Sequence, residues 1–187
     1  CRFSDIKKNK QWIDEAIRER TVSAIKALEF LGISDCNFYD LPCGRLDTLP
    51  IIEINKIIEE EITTFNPNTI MTHSESDLNN DHKIVYKSVM MAARPGCFDS
   101  LNKIISFEVL SSTEWNFDQA FSPNLFEELS EKDLERKWKA FSCYESEVRS
   151  LPHPRSYEGI KTLASYRGLQ SGKCYAEGYR LIREIHE

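Results

Sequence analysis

A chain of 187 residues has room for one domain with a sizeable core and is short for two. With 41% hydrophobic and 29% charged residues it has the make-up of a globular protein, and no apolar run approaches the roughly 18 residues of a membrane span. A net charge of −6 gives no positive field for a nucleic acid or an anionic membrane surface to meet, so neither is expected as a partner.

In chain order, QWIDEAIRERTVSAIKALEFLG places Ile13, Ile17, Ala24, Leu28 and Leu31 on one face of a helix, stopped by Gly32. Arg20 lies on that stripe, either with its stem packed and its head in water or as a cation aimed into a site. CNFYDLP reads as a short strand closed by Pro42 and Gly44. PIIEINKIIEEEITTF spaces Ile51, Ile54, Ile58 and Ile62 as a second helix with its acids on the far side. NTIMTH is a strand after Pro67, and NDHKIVYKSVMMAARP a helix from about Asn80 to Pro95. NKIISFEVL is the next strand and SSTEWNFDQAFSPN a turn-rich stretch. EKDLERKWKAFSCYESEV sets Leu134, Trp138, Phe141 and Tyr144 at helical steps. SYEGIKTLASYRG is a shorter helix capped by Ser156 and Gly168, and CYAEGYRLIREIHE closes the chain.

Strand and helix alternate through residues 10–110, which predicts an α/β architecture. The expected form is a three-layer, Rossmann-like domain with a mostly parallel sheet and helices on both faces, one domain over residues 1–187. Six cysteines (Cys1, Cys36, Cys43, Cys97, Cys143, Cys174) form no C-x-x-C pair, so neither a zinc ribbon nor a thioredoxin motif is present. CRFSDIKKNK lacks the apolar core of a signal peptide, and reduced thiols in a cytoplasmic protein are expected.

Ligands of parallel sheets sit at the carboxyl ends of strands, where THSESDLNNDHKIV falls. His82 belongs to the first turn of its helix, whose positive end disfavours an imidazolium and leaves a neutral ring with a lone pair for a metal. Asp81 is either ordinary first-turn charge or an orienting carboxylate, and Asn79 or Asn80 can cap the helix. His73, Glu75 and Asp77 are each a second ligand or solvated loop. An adjacent Asp-His pair is not the i, i+4 pair of a zinc protease helix, and His82 alone is not the three-ligand site of a zinc hydrolase.

PNTIMTHSESDLNNDHKIVYKSVMMAARP resembles the second metal-binding motif of the LmbE/PIG-L deacetylases, zinc hydrolases that remove acetyl groups from N-acetylglucosamine-type sugars. RERTVSAIKALEFLG, FYDLPCGRLD, YESEVRSLPHPRSYEGIKTLASYRG and YAEGY are similar, in order, to other family segments. The resemblance implies zinc (Zn2+) as cofactor and a small-molecule N-acetyl sugar as substrate, with an oligomer allowed. It makes His82 a zinc ligand and Asp81 its catalytic neighbour at the metal. It gives Arg20 and Arg94 to substrate binding. Glu177 and Tyr144 are pocket residues or plain packing and surface pairs.

Three departures accompany the resemblance. The family's Ala-His-Pro-Asp-Asp-Glu type motif, source of two zinc ligands and the water-activating aspartate, has no match in CRFSDIKKNKQW, so the domain is expected to be incomplete at its N-terminus. Asn79 stands where many members have the histidine that protonates the leaving amine, and an amide cannot do so at neutral pH; His153 is the expected substitute. Glu147 replaces a common Gln, and Cys43 a common Asp. The alternative to an enzyme is a degenerate member that binds a sugar or a partner domain without hydrolysis. A nucleotide-binding Rossmann domain is weaker, since the seven glycines form no phosphate loop.

Overall fold

The computed structural model describes residues 10–186. These residues divide into two compact units, one of residues 10–43 and 128–177, the other of residues 44–127 and 178–186. Among the described residues, no helix is long and apolar enough to cross a membrane.

The first unit is helical. Helix α1 (Lys10–Leu31) ends as its glycine predicts: Gly32 takes φ +78°, its N–H bonds Glu29 O at 3.0 Å, and Ile33 N–H bonds Leu28 O at 2.9 Å. Two further helices, Glu131–Ser142 and Tyr157–Ser171, complete this unit, and the former packs on α1. Its Arg136 donates to Leu31 O at 2.8 Å, satisfying a carbonyl that the end of α1 would leave open. The Glu131–Ser142 helix starts at a reciprocal capping box between Ser130 and Asp133. The Tyr157–Ser171 helix is capped by the Ser156 hydroxyl but runs past Gly168, ending at Gly172 with φ +73°. Gly168 therefore serves packing and not termination, because a Cβ there would meet Lys173 O at 2.6 Å and Cys174 O at 2.7 Å.

CNFYDLP forms no strand. Leu41 N–H turns back onto Tyr39 O at 2.9 Å, and Pro42 has no N–H to donate to a ladder.

The second unit holds helix α2 (Ile51–Phe65), strand β1 (Thr69–Thr72), helix α3 (Asn80–Ala92) and strand β2 (Lys103–Phe107). Strand β3 (Leu125–Glu128), unforeseen just after the turn-rich stretch, and strand β4 (Ala176–Glu184) complete one four-stranded sheet of order β1-β2-β4-β3. We number the helices Glu131–Ser142 and Tyr157–Ser171 as α4 and α5. The architecture is α/β, one sheet flanked by helices. Its sheet is mixed, since β1 and β2 run parallel while β4 lies antiparallel beside β2 with a register shift between Ile104 and Ile105.

The core of this unit is the apolar face the spacing predicts. Ile62 of α2, Val89 of α3, Ala93, Leu101 and Ile104 of β2 form one buried cluster, with Ile58, Ile70, Val85 and Ile182 packed against it. Burying such side chains is worth about 1.5–3 kcal/mol each. That packing of α3 on α2 and β1 fixes where the first turn of α3 stands, and with it His82.

Candidate functional site

Thr72 ends β1, and the chain turns through residues 73–79 into α3. Asn79 is the N-cap, its side chain accepting from Asp81 N at 2.9 Å. The turn itself is held by Asp77 N–H on Ser74 O at 3.1 Å. This local geometry points Asp77 inward, where it is 0% exposed.

A buried carboxylate needs partners, and Asp77 has three. Asn79 N–H donates to Oδ1 at 2.8 Å, the Ser112 hydroxyl donates to the same oxygen, and Oδ2 faces His82 Nδ1 at 2.8 Å. Burial by itself would raise the Asp77 pKa, but the bonds from His82, Ser112 and the Asn79 N–H together hold it below the ordinary value. Asp77 is therefore an anion, and the proton on His82 belongs on Nδ1. That assignment leaves a lone pair on Nε2, as in histidines that bind metals with a carboxylate behind them.

His73 stacks on His82 with ring centroids 4.1 Å apart at 23°, and lies 5.1 Å from the Phe107 ring. Burial, then the neighbouring His82, lowers its pKa to about 4 against the opposing pull of Asp77, so the ring is neutral near pH 7. Its Nδ1 is buried without a hydrogen-bond partner among the described residues. Imidazole lone pairs lie in the ring planes, and two rings stacked in this way cannot both point at one ion about 2 Å from each. His73 is a wall of the site in this arrangement.

Asp81, the expected neighbour at the metal, has both oxygens engaged by backbone. Leu46 N–H donates to Oδ1 at 3.1 Å, and Gly44 N–H donates to Oδ2. It ties the turn before the 3₁₀ segment Leu46–Thr48 to the start of α3. Arg94 follows the far end of α3, about 18 Å of helix away from His82. His82 and Arg94 are not brought together.

The other two expected residues lie in the helical unit and share a chain of bonds there. Arg20, with its side chain 48% exposed, donates to Glu147 Oε1 at 3.2 Å. Glu147 also pairs with Arg155, whose backbone N–H donates to His153 Nδ1 at 3.1 Å. Tyr144 belongs to the same cluster: burial raises its pKa and the Arg20 charge opposes that. Because Nδ1 of His153 accepts, its ring proton sits on Nε2.

Sequence reasoning left Asp77 as one acid among several and missed Ser112 altogether. The signal for Asp77 was its place two residues before the Asn79 cap, where an Asx side chain reaches backbone N–H groups. Nothing local pointed to Ser112, which lies 35 residues further on.

The donor set fits a metal in part. His82, oriented by Asp77, supplies one nitrogen, while no group of three or more His, Cys, Asp or Glu that could hold an ion gathers among the described residues.

Several solved structures share the fold. The conserved protein TT1542 from Thermus thermophilus is 17% identical with a TM-score of 0.71, covering 98% of this chain and 78% of that one. An N,N'-diacetylchitobiose deacetylase from Pyrococcus horikoshii, solved with its inhibitor MPG, is 17% identical with a TM-score of 0.70 over 97% of this chain and 69% of that one. Dbv21, a deacetylase of the A40926 pseudoaglycone, is 20% identical with a TM-score of 0.69 over 92% and 73%. No curated protein matches the chain by sequence. Residues 4–93, just under half of the chain, match the model of the PIG-L family, described as GlcNAc-PI de-N-acetylase.

Proposed function

We propose that the chain is a zinc-dependent N-deacetylase acting on an N-acetylglucosamine-type sugar or its conjugate. The observation that carries this reading is the Asp77–His82 pair at the start of α3, a buried anion fixing an imidazole with Nε2 free to bind a metal. Zinc, when bound, supplies a water acidified toward neutrality and a positive charge for the amide oxygen. His82, held by Asp77, is a ligand that the described residues offer it.

The roles of Arg20, His153 and Arg94 in this reading are those the family resemblance implies. Asp77 holds His82 in its tautomer and compensates positive charge beside it. Arg20 binds sugar hydroxyls or an anionic substituent, and its bond to Glu147 sets its direction. His153 moves the proton to the departing amine. A neutral ring with its proton on Nε2 donates a hydrogen bond but is not an acid, so delivery requires Nδ1 to leave the Arg155 N–H and take up a proton. Arg94 contributes to substrate binding only through an extended substrate, given its place beyond the far end of α3.

A second reading is a non-catalytic member that binds a sugar without hydrolysis. Two observations favour it: the Asn79 amide is committed to capping, and both Asp81 oxygens are held by backbone N–H groups.

Elemental analysis of the chain and of His82→Ala, with acetate release from N-acetylglucosamine conjugates, separates the readings. The enzyme reading expects about one zinc per chain, lost in the variant together with acetate release. Sugar binding with neither zinc nor acetate would establish the binder.

A further inference from the structure

The loop that carries Asp77 has a second face. Ser74, Glu75 and Ser76 line a cavity of about 190 Å³ in the sheet-bearing unit, with Tyr86, Ser106 and Arg180 among its other walls. A single water needs only about 10–15 Å³, so this space has room for a small ligand. Few of its walls are apolar.

Ser106 and Arg180 are register partners across β2 and β4, so their side chains leave the sheet on the same face. Ser106 is 1% exposed, and its hydroxyl has no hydrogen-bond partner among the described residues. Buried hydroxyls are rarely left so, and an unmade bond of this kind costs stability. The cavity that Ser106 lines is where its partner enters. Arg180 stands exposed at the same cavity.

Tyr86 lies one turn along α3 from His82. Burial first, then the nearby Glu75 carboxylate, raises its pKa above the ordinary 10, against the pull of Arg180. Its phenol is therefore an O–H donor near neutral pH. The walls are held in place: Asn124 accepts from Leu181 N at 2.7 Å, fixing the strand beside Arg180, and Ser74 Oγ accepts from Ser76 N at 3.1 Å. A guanidinium, a phenol and an unpaired hydroxyl are donors in search of acceptors. Glu75, exposed at the same cavity, suits a hydroxyl on the ligand and opposes a bare polyanion.

We propose that this cavity binds a small polar ligand through an oxyanion, a phosphate or a carboxylate, held by Arg180 with the Ser106 and Tyr86 hydroxyls. The site is distinct from the Asp77–His82 pair and does not depend on a metal there.

Calorimetric titration of the full chain with sodium phosphate and with sodium acetate, against sodium chloride at equal ionic strength, tests it. Saturable binding of either oxyanion is expected, phosphate ahead of acetate marking a tetrahedral group and the reverse a carboxylate. Arg180→Met should weaken it about tenfold or more. Ser106→Ala should weaken it about threefold while leaving the melting temperature without ligand unchanged, since no bond within the protein is lost. Glu75→Gln should tighten phosphate binding, and His82→Ala should leave it as it was. Heats that follow ionic strength alone, or oxyanion binding indifferent to both Arg180→Met and Ser106→Ala, would overturn the proposal. Loss of binding in His82→Ala would also overturn it by placing the anion at the metal.

Discussion

At Asp77 one carboxylate does three things: it closes the loop on Asn79, draws in Ser112 from 35 residues away and sets the proton on His82. The roles separate by substitution. Asp77→Ala leaves three donors without their acceptor, the buried Ser112 hydroxyl among them, and should cost roughly 1–3 kcal/mol in urea unfolding. Asp77→Asn keeps an acceptor for Asn79 and Ser112 but presents an amide toward His82, which favours the proton on Nε2 and removes the lone pair. Chelator competition should then show zinc affinity reduced by about 10- to 100-fold with the fold retained. Equal zinc affinity in wild type and Asp77→Asn would dismiss the orienting role. This residue also shows the limit of reading a loop from its letters. THSESDLNND offers acids and hydroxyls that look alike in sequence, and only burial distinguishes Asp77 from the exposed Glu75.

Elements, in contrast, announce themselves where the signal is local. Gly32 after a helical stripe, Asn79 before Asp81 and Ser130 before Asp133 are all ends that a few neighbouring residues determine. The Ser130–Asp133 box makes a pH-dependent prediction. Hydrogen bonds from the Ser130 hydroxyl and then its backbone N–H lower the Asp133 pKa below 3.8. A depressed acid stabilises the fold above its unfolded pKa and loses that contribution as pH falls through the folded one. Ser130→Ala should therefore bring the Asp133 carboxyl, followed by NMR, back up toward 3.8, and lessen the extra loss of α4 helicity below that pH. No upward movement of Asp133 would mean that the box does not hold it in solution. Failures at this scale have a common cause. Gly168 reads as a stop in sequence because close approach of Lys173 and Cys174 is invisible there. An added methyl in a helix ordinarily gains about 1 kcal/mol over glycine, yet Gly168→Ala should lose about 1–3 kcal/mol in thermal unfolding because backbone cannot move aside cheaply. CNFYDLP reads as a strand, and Leu125–Glu128 gives no strand signal, for a related reason: strands exist only by pairing.

Across the whole molecule, the alternation of helix and strand made the α/β class legible, while the joins between distant segments were not. Asp81 is the clearest of these. In sequence it stands beside His82, and in space its carboxylate is taken up by Gly44 and Leu46, more than thirty residues earlier. The two descriptions predict different variants. If Asp81 is chiefly an anchor, Asp81→Ala strands two backbone N–H groups and frees the turn at 44–48 from α3, lowering the unfolding free energy by about 1–3 kcal/mol. Zinc content would then stay near that of the wild type, because His82 keeps its own orientation through Asp77. Asp81→Asn should restore roughly half of the lost stability, since its carbonyl can still accept one N–H but no longer both as an anion. Chemical denaturation paired with elemental analysis reads both quantities on the same samples. Zinc lost at unchanged stability would instead make Asp81 a ligand that turns from the backbone to the metal when the ion arrives.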